Sequence, residues 1–305
     1  MSERLHARDS AFDIVPDDPD ALADLWLMDA WAQTPREFRV ESDGASIACR
    51  GWNLDRTDLP GIVLVHGFRA HARWWDHIGP LLAEDHRVVA FDFSGMGDSD
   101  RRDAYSRLLH AREILATADG AGFDRFIVAA HSYGGIAALI AAADAPERVS
   151  RAIIIDSALP TEEDKDRPNG ASPQRIYPDF DTAVSRFRLI PPGRWPNRKI
   201  LGYIGHHSVR PIEGGWTWKF DEAIGGRLNP DDDVLQKLGR ITIPVDFVYG
   251  DRSEIVTPRR LALIPQMMPH AGKPVAIPSC HHHCMIERPL ELVTALRALF
   301  SKAAA

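Results

Sequence analysis

Short runs dense in branched apolar residues recur along this chain, each followed by a longer stretch with helical spacing. That alternation constrains the fold more than any other feature. The runs GIVLVHGF (61–68), HRVVAFDFSG (86–95), FDRFIVAAHS (123–132), SRAIIID (150–156), PVDFVYGD (244–251) and KPVAIPS (273–279) carry little polar alternation. A strand with one wet face alternates apolar and polar residues. A continuous apolar run belongs to a strand covered on both faces, as crossover helices cover a parallel sheet. The stretches 72–83, 103–119, 134–145, 258–268 and 289–302 supply the helices. EFRVE (37–41) and SIACRGWNL (46–54) read as two opening strands that turn at Asp43-Gly44, preceded by an amphipathic helix over 21–33. The expected fold is α/β, with a mostly parallel central sheet flanked by helices.

The rhythm breaks between Ser157 and Arg240, in a polar loop (161–174), a Pro-rich bend LIPPGRWPN (189–197) and an aromatic run GGWTWKF (214–220). Structureless connections of this length are rare in compact domains. The segment 157–240 is therefore expected to be a mainly helical cap inserted into a core of 37–156 and 241–305, with 1–36 an N-terminal extension. A net charge of −7 and the lack of any Lys/Arg run argue against nucleic acid or an anionic membrane as partner. Three cysteines are too few for a disulfide framework and suit a reducing compartment. The N-terminus carries acids and no apolar core of a signal peptide, so a cytoplasmic location is expected. A homo-oligomer is compatible with all of this.

The most informative segment is IVAAHSYGGIAALIAA, in which a strand meets His131-Ser132-Tyr133, two glycines and an Ala-rich helix. Turning a strand into a helix within so few residues strains the residue at the tip. Small neighbours relieve the crowding, and Ala130 and Gly134 flank the tip. The bend presents the Ser132 hydroxyl at the sheet's C-terminal edge above a helix N-terminus, as the G-x-S-x-G nucleophile elbow does. Here the pattern is A-x-S-x-G. The blander reading is a serine that caps the helix.

Four stretches in order, LVHGF (64–68), FDFSGMGDSD (91–100), AHSYGG (130–135) and HHCMIERP (282–289), resemble the α/β-hydrolase superfamily from about residue 37 onward. The resemblance implies a serine hydrolase with Ser132 as nucleophile. It also implies an oxyanion hole made by the backbone N–H groups of Phe68 and Tyr133, whose side chains would wall the pocket. Among His281, His282 and His283 it selects His282 as base, with His283 the fallback. A metal site in Cys280–Cys284 is disfavoured, because five adjacent residues on one short loop cannot wrap a tetrahedral ion. The commoner place for the acid is occupied by Ser253, which holds no charge. The strand after the elbow ends in Asp156, an alternative place for the acid in some branches. Asp156 is thus expected to serve, with Asp251 the competitor. Asp92 and its glycine turn read as structural. Trp74, Trp75 and GGWTWKF could face the pocket or simply pack.

The expected activity is cofactor-free hydrolysis of a carboxylic ester or lactone of a medium-sized apolar small molecule, through an acyl-enzyme. Serine in place of aspartate argues against haloalkane or epoxide hydrolysis. C–C hydrolysis of a ring-fission product and cofactor-independent oxygenation use the same triad; a receptor that had lost turnover is the non-enzymatic alternative.

Overall fold

The computed structural model describes residues 24–159, 161, 173–193, 197–227 and 234–301. The acidic lead, most of the polar loop 161–174 and residues 194–196 of the Pro-rich bend lie outside them. A short helix α1 (Leu25–Ala32) precedes strands β1 (Arg36–Ser42), β2 (Ala45–Trp52) and β3 (Gly61–Val65). A 3-10 turn (Ala72–Trp75) and α2 (Gly79–Leu82) lead to β4 (Arg87–Phe91), α3 (Arg107–Gly120), β5 (Phe126–His131), α4 (Tyr133–Asp144) and β6 (Val149–Ile155). The insertion follows, with α5 (Phe180–Ser185), α6 (Arg198–His207), β7 (Val209–Ile212), β8 (Gly215–Trp218), α7 (Ile224–Arg227) and α8 (Val234–Leu238). The chain then returns through β9 (Val245–Gly250), α9 (Pro258–Leu261), α10 (Ile264–Met267), β10 (Val275–Ile277), α11 (Cys284–Glu287) and α12 (Pro289–Phe300).

Eight strands form one sheet in the order β1-β2-β4-β3-β5-β6-β9-β10, parallel from β4 to β10 and antiparallel at β1/β2 and β2/β4. Every residue of β3 is buried, as its unbroken apolar run implies. Val63 and Val65 pack on one face with Ile114 of α3 and Ile136 of α4. Ile62 and Leu64 pack on the other with Leu82 of α2 and Leu296 of α12. The crossover from β3 leads to β4 on one side, and the crossover from β4 returns past β3 to β5 on the other, so the winding reverses between β3 and β5. A crevice opens at the carboxyl ends of strands where that reversal occurs. Phe68 and Ser132 follow those two strands.

Two local expectations change, and a third gains a detail. The stretch 72–83 is a 3-10 turn and one helical turn, with Pro80 in the first turn of the second, where its missing N–H breaks no helical bond. The stretch 258–268 is split into α9 and α10, with Pro265 in the first turn of the second. The insertion has four helices among its described residues but also a hairpin, β7/β8, paired Val209↔Trp218 through Ile212↔Gly215.

Candidate active site

Strand β5 runs into Ser132, whose φ of 52° and ψ of −120° lie outside the regions that ordinary side-chain-bearing residues occupy. The strain is held by backbone bonds on both sides. Ser132 N–H donates to Ile155 at 2.9 Å and Gly135 N–H donates to Ser132 at 2.9 Å. The second glycine-type requirement is steric, since a Cβ at Gly134 would lie 2.5 Å from the His66 carbonyl oxygen. These contacts lock the bend against the end of β3, so the hydroxyl is aimed by main chain rather than by packing alone.

His282 Nε2 lies 3.0 Å from Ser132 Oγ, and His282 Nδ1 lies 2.7 Å from Asp156 Oδ1. Asp156 is fully buried at the end of β6. Its other oxygen accepts from the Gly250 N–H at 2.8 Å, and Ser253 Oγ donates to Oδ1 at 2.6 Å. Ser253 is itself fixed by accepting the Ile255 and Val256 N–H groups, each at 3.1 Å. The sequence offered no signal for Ser253 beyond its register. The residue standing where the acid commonly stands in the family instead donates to Asp156 from the neighbouring strand end. Asp251, the competitor, is exposed and accepts the Cys280 N–H at 3.2 Å, bracing the histidine loop without facing the His282 ring.

The neighbouring imidazoles have other partners. His281 Nδ1 is 2.9 Å from Glu287, and His283 Nε2 is hydrogen-bonded to the Pro191 carbonyl at 3.0 Å. Burial pushes His283 down to about 3 and His131 well below its ordinary value, so both stay neutral beside His282. A positive charge arising on His282 thus meets no fixed cation from them. Among the described residues, His131, His282 and His283 form a group whose ring nitrogens, all within 4.8 Å, could hold a metal ion. His131 arrives from the elbow, so the histidine loop's own sequence does not reveal this group. Both His282 nitrogens are taken by Ser132 and Asp156, so an ion there would compete with that contact.

Gly67 packs against the elbow: a Cβ on it would lie 3.2 Å from the Ser132 Cβ. The turn that carries Phe68 therefore passes directly beside the Ser132 Cβ, and Tyr133 follows Ser132 as the first residue of α4. Phe68 lines the cavity above Ser132, but Tyr133 turns away. Its hydroxyl is 2.7 Å from His110 Nδ1, and its ring is 5.5 Å from that of Phe68. Trp74 lines the cavity, whereas Trp75 is fully buried in the core. Of the aromatic run, Trp218 and Phe220 reach the cavity; Trp216 stacks edge-on against Phe180 at 5.0 Å. The cavity measures about 480 Å³ and is shared between the sheet's loops and the insertion. Asp92 is structural as read, accepting the Ala72 and Asp98 N–H groups at 2.6 and 2.7 Å.

An elbow on β5, a histidine loop after β10 and an eight-stranded sheet of this order define an α/β hydrolase. The model of the alpha/beta hydrolase family matches residues 62–296, and the chain belongs to that family. It is an esterase-like member of it. It is 25% identical to a pimeloyl-[acyl-carrier protein] methyl ester esterase of Nitrosomonas europaea, over 79% of this chain and 95% of that one. An esterase of Mycobacterium tuberculosis is 26% identical over 87% of this chain and 89% of its own length. Among solved structures, the thioesterase domain from the curacin biosynthetic pathway superposes with a TM-score of 0.73 at 25% identity. That match covers 87% of this chain and 99% of the domain. No helix among the described residues is long and apolar enough to cross a membrane.

Proposed function

We propose that this enzyme hydrolyses a carboxylic ester or lactone of a medium-sized substrate through an acyl-enzyme on Ser132. The observation that carries the reading is the unbroken hydrogen-bonded line from Asp156 through His282 to Ser132, at 2.7 and 3.0 Å. In the first half-reaction His282 Nε2 takes the Ser132 proton as Oγ attacks the carbonyl carbon, and then delivers it to the leaving alcohol. Asp156 holds the Nδ1–H tautomer and balances the imidazolium. The N–H groups of Phe68 and Tyr133 receive the oxyanion. In the second half-reaction His282 deprotonates water, which attacks the acyl carbonyl and releases the acid and Ser132. No cofactor takes part in these steps. The described residues of the segment 157–240 act as a cap over this chamber, and the aromatic rings of Phe68, Trp74, Phe187 and Trp218 in the cavity lining suit an apolar acyl chain.

The test is covalent labelling by a fluorophosphonate probe together with turnover of p-nitrophenyl hexanoate. Label is expected on the Ser132 peptide, lost in Ser132→Ala and in His282→Ala, with turnover lost in parallel. Labelling elsewhere, or full turnover by Ser132→Ala, refutes the reading.

A further inference from the structure

The cavity beside Ser132 mixes aromatic walls with an excess of positive charge. Among the described residues, Arg69, Arg175, Arg186, Arg188 and Lys219 line it, against the single carboxylate of Glu222. The chain carries a net charge of −7, so the cleft opposes the sign of the whole molecule. Part of the charge is answered locally. Lys219 Nζ lies 2.7 Å from Asp98, and Glu222 lies 3.6 Å from Arg101, outside the lining. Arg175, Arg186 and Arg188 are exposed on the insertion, and among the described residues no carboxylate pairs with them. Arg188 Nη1 donates to the Ser185 and Phe187 carbonyls at 2.8 and 2.6 Å, which orients the guanidinium without neutralising it.

Arg69 adds an independent mark. It follows Phe68 with a φ of 58°, left-handed for a residue with a side chain. Its guanidinium lies 5.3 Å from the Phe68 ring centre and 4.9 Å from that of Phe220. Strained backbone of this kind persists where the surroundings impose it, and such positions cluster at ligand clamps. Guanidinium groups pair in forked fashion with carboxylates and phosphates.

Resting on the ester-hydrolase reading above, we infer that the preferred substrate carries an anionic group, a carboxylate or a phosphate, remote from its scissile carbonyl. The aromatic walls hold the chain between, and the arginines of the insertion receive the charge at the mouth. An apolar ester alone leaves that charge unused.

The experiment compares matched esters. p-Nitrophenyl hexanoate is set against p-nitrophenyl hydrogen adipate and p-nitrophenyl 5-phosphonopentanoate, which place a carboxylate or a phosphonate on the acyl end. 4-Carbamoylphenyl hexanoate is set against 4-carboxyphenyl hexanoate to place the charge on the alcohol. At least one anionic ester is expected to exceed its neutral partner in kcat/KM by roughly tenfold at low salt, mainly through KM, and the preference shrinks in about 0.5 M NaCl. The ratio falls toward one in the Arg175→Gln/Arg186→Gln/Arg188→Gln variant; because it is a ratio, general loss of activity cancels. Neutral esters turned over with no anionic preference, or a preference intact in the triple variant, overturn this inference while leaving the serine-hydrolase reading standing. No turnover of any ester and no labelled Ser132 overturn both.

Discussion

The carboxylate of Asp156 accepts three hydrogen bonds, and only one comes from His282; Gly250 and Ser253 supply the others. Three donors from two loops leave it one orientation, with Oδ1 toward Nδ1. Asp156→Asn is expected to reduce kcat by roughly 10⁴, because the amide no longer enforces the tautomer that leaves Nε2 free to accept a proton. Asp251→Asn, which alters an exposed loop brace, is expected to cost less than tenfold on the same steady-state assay. Equal losses would remove Asp156 from its role. Ser253 makes a sharper test. Its Oγ is 2.6 Å from the oxygen that faces His282, so a carboxylate moved to 253 reaches the same space. The exchange Asp156→Ser with Ser253→Asp is expected to recover at least roughly tenfold over Asp156→Ser alone. The Ser132–His282 contact was legible in the sequence, because an elbow and a histidine loop are each written in consecutive residues. Asp156 could be reached only by elimination at 253, and Ser253's own contact not at all. A hydroxyl that meets a carboxylate across two strand ends leaves no local pattern.

Among the elements, the strands were the most legible and the insertion the least, for one physical reason. A strand buried on both faces must be apolar at every position, whereas short elements over a cleft are specified by a few long-range contacts. The β7/β8 hairpin shows this: Glu213-Gly214 is its two-residue loop, but Pro211 inside β7 obscures the strand pattern. Helix α6 is tied to the body through Tyr203, which hydrogen-bonds Asp76 and stacks on Trp31 with ring centres 4.8 Å apart. Asp76 is also paired with Arg50, Nε to Oδ1 at 2.9 Å and Nη2 to Oδ2 at 3.0 Å, and burial raises its pKa. Removing the guanidinium leaves the buried carboxylate with Tyr203 and only the longer contact to Arg73, 3.6 Å away. Arg50→Met is expected to lower unfolding stability by about 3 kcal/mol, and Arg50→Met with Asp76→Leu by distinctly less, since the pair's desolvation is then removed together. Urea denaturation of the three proteins measures both. A double variant as unstable as the single one would show that packing, not charge, sets the cost.

On the scale of the whole molecule, the core encloses imidazoles that the mechanism does not use. Burial pushes His66 and His77 down to about 4, His110 to about 3, and His71 well below its ordinary 6.5. Each folded pKa lies below the unfolded one. Between pH 6.5 and about 4 the unfolded chain therefore binds more protons, and stability falls as pH falls through that window while remaining fully present above it. Asp92 acts in the opposite sense. Burial raises it to about 6, so between its unfolded value and 6 the folded carboxyl keeps a proton that the unfolded one has lost. His131, His207 and His283 are lowered in the same way, while Asp76 and Glu113 are raised like Asp92, so the imidazoles outnumber the carboxyls and stability falls from pH 6.5 toward pH 5. Urea midpoints at pH 7, 6 and 5 are expected to drop steeply below 6.5. His77 donates Nε2–H to the Met285 carbonyl at 2.7 Å, a bond that glutamine can replace without titrating. His77→Gln should consequently flatten the slope by about one proton, read directly as proton uptake on unfolding. A pH-independent midpoint, or a slope unchanged by His77→Gln, would mean that these rings gain their protons without unfolding the core that surrounds them.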